Sequence, residues 1–298
     1  MMSKKLEIVV ASGKGGTGKT TFSSFLLSFL PVKGINVIGV DADVEAPDLV
    51  IALGGAKLKQ SEEIYDSMIA VIREDACTLC KKCYDVCQFG AVEWNGKPRI
   101  IRELCEGCGS CKYVCPSKAI EMAKIKTGEI KVYGTEYCEV VTGELEIGRK
   151  HSGKLVDILK NRARDKIGDG IIIVDAAAGT GCPVISSIAG SDYLIIVVEP
   201  TIYSIRTATK IVRIAESFGV DRACVINKFD MNKPFIRDIE EWAKKNNIFL
   251  LGVVPYDENV VRAYVSMQNI LSFAPNSVAT KHMKEITEKL LEVLGVRT

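Results

Sequence analysis

The chain has 298 residues, of which 47% are hydrophobic and 26% are charged. A chain of this length buries roughly 75% of its unfolded surface without help from crosslinks, so we expect one large domain or two smaller ones. The net charge of +2 gives no electrostatic reason to expect a nucleic-acid partner. No apolar run approaches the roughly 18 to 20 residues that span a bilayer, so a membrane partner is not expected either.

The first residues run from a short basic start directly into a strand and a glycine loop. This leaves no room for a cleaved signal peptide, so we expect a cytoplasmic protein. Eleven cysteines then need an explanation, because the cytosol keeps thiols reduced and disulfides are rare there. Eight of them fall between Cys77 and Cys115, and the others are Cys138, Cys182 and Cys224.

Outside the cysteine-rich stretch, short continuous apolar runs alternate with helical patterns. Such runs are typical of parallel strands that helices cover on both faces, so the sequence predicts an α/β fold with a doubly wound, mainly parallel sheet. The predicted strands are residues 6–12, 36–41, 171–175, 193–198, 223–227 and 249–254. The predicted helices are residues 18–30, 202–218, 234–245 and 278–294.

An internal repeat interrupts this pattern between about Tyr65 and Ser152, because four cysteines reappear 28 positions later. The two sets are Cys77, Cys80, Cys83 and Cys87, and Cys105, Cys108, Cys111 and Cys115. Two copies at one offset predict a small module inserted in a larger domain. The predicted division is residues 66–119 for the insert and residues 1–65 and 120–298 for the discontinuous outer domain. Residues 125–147 favour two or three strands, and the assignment of residues 120–150 is left open.

A glycine-rich loop lies between the first predicted strand and the first predicted helix. Its sequence, GKGGTGKT from Gly13 to Thr20, fits the phosphate-binding pattern. In such a loop the backbone N–H groups turn inward around the phosphates, Lys19 reaches the β and γ oxygens, and Thr20 binds Mg²⁺. The candidate nucleotide-binding residues are Gly13, Gly15, Gly16, Thr17, Gly18, Lys19, Thr20 and Thr21.

A second lysine, Lys14, stands early in the same loop. With it, the segment KGGTGKT resembles the deviant Walker A ATPases of the MinD, Mrp and ParA superfamily, and the resemblance covers the chain except for the insert. It implies binding of ATP and Mg²⁺, and an ATPase that is slow without a partner. It also implies that Lys14 reaches the nucleotide of a second subunit, and hence a homodimer closed across ATP. A solvated loop lysine is the alternative.

Carboxylates end two of the predicted strands, where open α/β sheets bind ligands. The resemblance assigns Asp43 to orienting the attacking water, with Asp41 nearby, and Asp175 to holding Mg²⁺ through water. Asp43 and Asp175 could instead be helix caps. The candidate Mg²⁺ residues are Thr20, Asp41 and Asp175. Asn227, in the segment NKFD, resembles a base-recognition residue whose amide can donate to and accept from adenine, and a simple turn is the alternative.

Each copy of the repeat reads C-x2-C-x2-C-x3-C. In bacterial two-cluster ferredoxins this spacing gives three thiolates to one 4Fe-4S cluster and sends the fourth to the neighbouring cluster. The expected ligands are Cys77, Cys80, Cys83 and Cys115 for the first cluster, and Cys105, Cys108, Cys111 and Cys87 for the second. A pair of zinc knuckles and a thioredoxin-like dithiol are the alternatives, although neither usually has this spacing.

The remaining cysteines and the histidines suggest no further metal site. Cys138 and Cys224 are predicted to be core residues. Cys182 is either a further core residue or a thiol that meets its counterpart across a dimer interface. His151 and His282 lie too far apart in the sequence to predict a histidine-based site.

An ATPase with an inserted two-cluster ferredoxin is itself a recognisable subgroup of the MinD superfamily. The leading hypothesis is an ATP-dependent homodimer that delivers electrons to a redox partner protein or assists metallocluster maturation. Mrp-type carriers hold their cluster on a C-x2-C outside the nucleotide loops, and no such pair occurs here outside the insert, which favours electron delivery. The alternative is MinD-like spatial positioning with structural or sensory clusters, although residues 278–294 favour packing on the sheet over membrane binding.

Overall fold

The computed structural model describes residues 5–146, 148 and 152–296. The chain divides into two compact units. The first unit is Met1–Ser61, Ile130–Glu144 and His151–Thr298, and the second is Glu62–Glu129 and Leu145–Lys150. His151 and part of the segment whose assignment was left open, residues 147, 149 and 150, lie outside the described residues. None of the described helices is long and apolar enough to cross a membrane.

The described secondary structure alternates between the two element types over most of the first unit. The strands are β1 (Lys5–Ser12), β2 (Val37–Ala42), β3 (Lys57–Ile64), β4 (Ser67–Ile72), β5 (Val92–Trp94), β6 (Pro98–Ile100), β7 (Ile120–Ile125), β8 (Gly128–Gly134), β9 (Glu139–Leu145), β10 (Gly170–Ala178), β11 (Tyr193–Val198), β12 (Asp221–Asn227) and β13 (Phe249–Val254). The helices are α1 (Lys19–Val32), α2 (Leu49–Ala52), α3 (Lys82–Val86), α4 (Ser110–Val114), α5 (Ser152–Lys166), α6 (Cys182–Ile188), α7 (Ile202–Phe218), α8 (Ile236–Lys245), α9 (Glu258–Val265), α10 (Ile270–Phe273) and α11 (Val278–Val293). Short 3-10 turns occupy Glu74–Ala76 and Phe229–Phe235.

The first unit is built on one large sheet with the strand order β13-β12-β11-β1-β10-β2-β9-β8-β3. From β13 to β9 the neighbouring strands pair in parallel. The predicted doubly wound, mainly parallel α/β fold is therefore confirmed. Each predicted strand is present, with ends that differ from the prediction by three residues or fewer.

The central strands are buried on both faces, which explains their continuous apolar sequences. Ile8 and Val10 of β1 belong to a core cluster that also contains residues of α1 and α11. Val9 lies between them and is also fully buried. Because successive side chains of a strand point to opposite faces, Val9 faces the other layer, where α5, α6 and α7 pack against the sheet.

Two expectations from the pattern need correction. The large sheet resumes before Ser152. Strands β8 and β9 already belong to it, and β9 pairs in parallel with β2. The helix predicted over residues 234–245 begins at Ile236 instead, and Pro234 lies in the preceding 3-10 turn. Asn232 has non-helical backbone angles, so it breaks the Phe229–Phe235 turn in its middle.

The second unit contains two antiparallel strand pairs, β4 with β7 and β5 with β6. Ile72 faces Ile120 in the first pair, and Val92 faces Ile100 in the second. Ile100 is the position of the second copy that matches Ile72 of the first, and Ile120 matches Val92, at the same offset of 28 as the cysteines. Each pair therefore joins a strand of one copy to a strand of the other. The strand pairing therefore follows the pseudo-symmetry of the repeat.

The backbone path of the two copies is also repeated. Both copies have left-handed residues at three matching positions. These are Leu79, Lys81 and Gly90 in the first copy and Gly107, Gly109 and Lys118 in the second. Lys81 and Gly109 precede α3 and α4 as their N-terminal caps. The two copies thus share one fold although their residues differ at these positions.

A buried lysine ties α5 to the rest of the first unit. The Nζ of Lys160, which is 1% exposed, donates to the carbonyl oxygens of residues 186, 187 and 189 at the C-terminal end of α6, over 2.6–2.9 Å. The same Nζ lies 3.0 Å from Oε1 of Glu7, and Nε of Arg164 lies 2.7 Å from Oε2. Lys160 therefore satisfies a helix end, where cations are stabilising, and neutralises a buried carboxylate.

Replacing this lysine should strongly destabilise the protein. Lys160→Met leaves three carbonyl groups without their donor and weakens the pairing of Glu7, so we expect the free energy of unfolding to fall by about 3 kcal/mol or more. The control is Lys210→Met at an exposed position of α7, which should change it by no more than about 0.5 kcal/mol. Urea denaturation of both variants measures the difference, and similar small losses would contradict the assignment.

Candidate functional site

The glycine-rich loop leads from β1 into α1 and borders a cavity of about 440 Å³ in the first unit. This volume lies within the range of roughly 300 to 1,000 Å³ that ligand sites occupy. The cavity is lined by Ser12, Lys14, Gly15, Gly16, Thr17, Gly18, Lys19, Thr20, Thr21, Asp43, Asp48, Ala178, Asn227, Lys228, Val260, Val261 and Tyr264. The structure thus brings together every predicted nucleotide-binding residue except Gly13.

Two glycines of the loop are required by close neighbours. A Cβ at Gly13 would overlap the side chain of Thr207 on α7. Gly18 has a φ of +90°, and a Cβ there would overlap Nδ2 of Asn227. The loop can therefore approach α7 and the end of β12 only because these positions lack side chains.

A smaller and more apolar pocket adjoins the phosphate cavity. Both are bordered by Gly18, Thr21, Asn227, Lys228, Val260 and Val261. The further lining residues are Phe22, Val197, Val225, Val254, Pro255, Tyr256, Asp257 and Met283. Apolar walls with one amide at the edge suit the flat ring of a nucleobase, while the glycine loop suits its phosphates.

The carboxylate of Asp175, in β10, anchors the start of α1. Asp175 is fully buried, and its oxygens accept hydrogen bonds from Thr20 Oγ1 and Ser23 Oγ, both over 2.7 Å. Nζ of Lys19 lies 3.0 Å from Oδ2 of the same carboxylate. Burial disfavours the charge of Lys19, but Asp175 outweighs it and the pKa of Lys19 is raised above its ordinary value. Lys19 therefore stays charged inside the site.

Three further carboxylates lie near the end of β2: Asp41 is in the strand, and Asp43 and Asp48 follow it. Asp41 is fully buried and accepts hydrogen bonds from the backbone N–H groups of Asp43 and Leu49, over 3.2 and 2.9 Å. Burial and then the neighbouring Asp175 raise the pKa of Asp41 well above its ordinary value. Asp43 and Asp48 line the cavity, whereas Asp41 does not. Asp41 thus shapes the loop that carries Asp43, and its predicted role as a Mg²⁺ ligand stays a prediction.

Glu199, which the sequence analysis did not single out, pairs with two lysines at the mouth of the loop, Lys14 and Lys228. Oε2 of Glu199 lies 3.2 Å from Nζ of Lys14, and Oε1 lies 2.7 Å from Nζ of Lys228. Nζ of Lys228 also donates to the carbonyl oxygen of Gly16 over 2.8 Å. Lys14 is therefore paired within its own chain, while 46% of its side chain stays exposed.

The amide of Asn227 is already used by the loop. Its Nδ2 donates to the carbonyl oxygen of Thr17 over 2.7 Å, and its Oδ1 accepts from the backbone N–H of Lys228 over 3.0 Å. Asn227 borders both pockets, as the base-recognition prediction requires, but its first role here is to hold the phosphate loop.

Two other residues at the cavity escaped the sequence analysis. Tyr264 of α9 donates from its hydroxyl to Oδ2 of Asp48 over 3.4 Å. Burial, then Asp175, raises the pKa of Asp48 above its ordinary value. Asp48 follows Asp41 by seven positions and directly precedes α2, which is the signal that could have found it. Tyr264 gives no comparable signal, because α9 reads as an ordinary amphipathic helix.

The eight clustered cysteines line two separate cavities in the second unit. Cys77, Cys80, Cys83 and Cys115 line one of them. Cys87, Cys105, Cys108 and Cys111 line the other. These are the two sets of four that the repeat predicted, including the exchange of the fourth cysteine between the copies.

Backbone donors point at several of these thiols. The N–H of Ala91 donates to Sγ of Cys87 and that of Ala119 to Sγ of Cys115, both over 3.3 Å. The N–H of Ala70 donates to Sγ of Cys105 over 3.5 Å. Hydrogen bonds of this kind stabilise thiolates, which are the forms that bind metals.

The other cysteines lie outside this module. Cys224 is fully buried, as predicted for a core residue, whereas Cys138 is partly buried against the core of the first unit. Burial raises the pKa of both thiols to about 12. Cys182 is exposed and begins α6. Within the part of the chain that the structure describes, no group of three or more His, Cys, Asp and Glu side chains is arranged to hold a single metal ion.

Comparisons with known proteins agree with this geometry. Residues 8–270 match the family described as the CobQ/CobB/MinD/ParA nucleotide binding domain. The chain belongs to this family. An uncharacterized protein of Methanocaldococcus jannaschii is 34% identical over 97% of this chain and 98% of its own length. An uncharacterized ATP-binding protein of the same organism is 26% identical over 96% of this chain and 88% of its own length.

The fold of a solved family member is also similar. The septum site-determining protein MinD from Pyrococcus horikoshii, complexed with Mg-ADP, superposes with a TM-score of 0.63 and 16% identity, and 99% of each chain is covered. The chain is thus an ATP-binding, MinD/ParA-like nucleotide-binding protein, as the loop sequence indicated.

Nucleotide binding should depend on the contact between Gly18 and Asn227. Gly18→Ala forces a side chain into Nδ2 of Asn227 and breaks the bond that holds the loop, so we expect at least about a tenfold loss of Mg-ADP affinity, or roughly 1.4 kcal/mol. Gly34→Ala is the control, because Gly34 also has a positive φ, +76°, but open space around it. Isothermal titration calorimetry measures both, and equal affinities would refute the contact's importance.

Proposed function

We propose that this protein is a Mg-ATP-dependent homodimeric ATPase that carries two 4Fe-4S clusters in its second unit and couples its nucleotide state to electron delivery to a partner protein. Assistance in metallocluster maturation is the closest variant of the same proposal. The observation that carries the proposal is the pair of cavities in the second unit of this chain. Each cavity is lined by the four cysteines that one cluster would need.

The arrangement of the thiols favours clusters over single ions. A cluster of four irons takes one thiolate per iron, so its four cysteines stand apart around a central space. A zinc ion instead draws four ligands to within about 2.3 Å of one point. Two cavities, each lined by one set of four cysteines, fit the first geometry.

The small core of the second unit points the same way. Among the described residues, one apolar cluster of this unit has four buried members, Ala70, Cys83, Val92 and Ile120, and four of the residues packed around them are further cysteines of the repeat. All eight cysteines are free, so no disulfide strengthens the unit. Units of fewer than about 80 residues usually need disulfides or metals for stability, and bound clusters would supply what the apolar side chains do not.

The nucleotide site supports ATP hydrolysis by positioning and charge. The glycine loop and Lys19 would hold the β- and γ-phosphates, and Thr20 with Asp175 would hold Mg²⁺, which neutralises charge on the phosphates. Asp43 lines the cavity and is the candidate that orients the attacking water. No step needs a covalent intermediate on the protein.

Dimerisation would use Lys14. Family members dimerise across ATP, and Lys14 is 46% exposed at the mouth of the cavity. Its present partner, Glu199, lies in the same chain. Reaching a second subunit's nucleotide therefore requires Lys14 to leave Glu199, and the anionic phosphates of ATP would compete with that carboxylate.

Iron content tests the cluster assignment. Anaerobically purified protein should contain about eight irons per chain, two clusters of four, and dithionite reduction should produce an EPR signal. Cys83→Ser should lower the iron content by about half or more, because it removes a ligand of one cluster, whereas Cys182→Ser should leave it intact. A change of the EPR signal with Mg-ATP would support coupling. Zinc in place of iron would refute the proposal.

The mass in solution tests the dimer. Asp43→Ala should bind ATP without hydrolysing it, so we expect a doubled mass with Mg-ATP and a single chain with Mg-ADP. Adding Lys14→Ala should restore the single chain in ATP, whereas adding Lys210→Ala should not. Size-exclusion chromatography with light scattering reads the mass, and a single chain for Asp43→Ala saturated with ATP would contradict the proposal.

The second candidate function is MinD-like spatial positioning, with structural or sensory clusters. It is favoured by the similarity to a septum site-determining MinD. The C-terminal helix argues against a membrane-bound form of it, because α11 buries Met283, Ile286 and Leu290 in the core of the first unit. Nucleotide-dependent binding to liposomes would favour this candidate, and its absence would favour electron delivery.

A further inference from the structure

The two copies of the repeat differ where the module meets solvent. Within the eight-cysteine module only Cys80 and Cys108 are exposed, and they occupy matching positions 28 residues apart. The residues around Cys80 are Leu79, Lys81 and Lys82, and those around Cys108 are Gly107, Gly109 and Ser110. One copy therefore presents large side chains beside its exposed thiol, and the other presents almost none.

The large side chains beside Cys80 are not required by the fold of the loop. Leu79 and Lys81 have φ values of 54° and 64°, which residues with a Cβ rarely adopt. Glycine occupies both matching positions in the other copy, with the same sign of φ and the same backbone path. Residues in such sparsely populated backbone conformations occur preferentially at functional sites.

These side chains do not pack in the interior either. Leu79 is 53% exposed, and Lys81 and Lys82 are exposed as well. Nζ of Lys81 lies 5.1 Å from the ring centre of Tyr84, which keeps its charge on the same surface. An apolar side chain beside two cations thus remains available to a partner.

The two loops that carry the exposed thiols differ in charge. The first copy has two lysines and no acidic residue between Cys77 and Cys83. The second copy has Glu106 and no basic residue between Cys105 and Cys111. Lys81 borders the cavity of the first four cysteines, and Glu106 borders that of the second. A negatively charged protein is therefore attracted to one thiol and not to the other.

We infer, resting on the proposed function, that Leu79, Lys81 and Lys82 form a docking surface, which we call the Cys80 face. Its partner is an acidic protein that carries one electron. Cys77, Cys80, Cys83 and Cys115 would hold the redox centre at this face, and that centre would exchange one electron with the carrier, the one being oxidised as the other is reduced. No bond forms or breaks, and no proton moves. The loop between Cys105 and Cys111 has no basic residue, so the site beside Cys108 would not attract this carrier in the same way.

Small charged oxidants test the Cys80 face without a known carrier. Dithionite-reduced protein is mixed with tris(oxalato)cobaltate(III), an anion, or hexaamminecobalt(III), a cation, each of which takes one electron to become cobalt(II). An ionic strength of about 0.01 M keeps screening weak, because the Debye length is then about 30 Å. Stopped-flow absorbance of the clusters measures the oxidation rate.

The variant Lys81→Gly with Lys82→Ser gives the first copy the residues of the second. We expect it to slow oxidation by the anion at least about fivefold, to speed oxidation by the cation, and to lose this difference in high salt. The matched control, Lys112→Gln with Lys124→Gln, removes two exposed lysines elsewhere in the same unit and should change the anion rate less than about twofold. Lys82→Gln alone, within α3, should show part of the effect with the backbone at Lys81 unchanged.

The outcomes separate this inference from the proposed function. Equal rates in wild type and variant, or equal losses in variant and control, overturn the Cys80 face while the clusters stand. A lower melting temperature of the glycine variant with unchanged rates also overturns it, because the side chains then serve the fold. If wild-type protein holds no iron, the proposed function fails, and the inference fails with it.

Discussion

The nucleotide site depends on one buried charge. The carboxylate of Asp175 is fully buried, and an unpaired carboxylate in that position would be strongly destabilising. Lys19, Thr20 and Ser23 satisfy it, and all three belong to the first turns of α1. The requirement to pair this charge therefore fixes the start of α1 against β10, and with it the orientation of the glycine loop that precedes α1.

The sheet and the loop could be predicted from sequence because their signals are local. Continuous apolar strands need covering on both faces, and GKGGTGKT has few structural uses other than phosphate binding. The two sets of four cysteines were predictable for a related reason, since a repeat at a constant offset predicts the same backbone twice. The exchange of Cys87 and Cys115 between the cavities follows from that pseudo-symmetry and from no residue alone.

Contacts between distant segments could not be predicted in the same way. Glu199 directly follows β11, and nothing near it in the sequence reveals that it pairs with Lys14, 185 positions earlier, and with Lys228, 29 positions later. The hydrogen bond from Asn227 to Thr17 could not be predicted for the same reason, because the two residues are 210 positions apart. The register of β9 beside β2 also depends on long-range pairing, so residues 125–147 could be recognised as strands but not assigned to a sheet.

The two units differ in what stabilises them, and this bears on how nucleotide binding and the proposed redox chemistry could be combined in one chain. The first unit has an extensive apolar core and forms its nucleotide site from that core's own strands and helices. The second has few buried apolar residues, and its chain leaves β3 and returns at β8, which are neighbouring strands of the large sheet. Chain ends that start and finish close together allow an insert without disturbing the host sheet. An insert of this kind can be stabilised by its own ligands, so loss of the proposed clusters should remove the redox function without removing ATP binding.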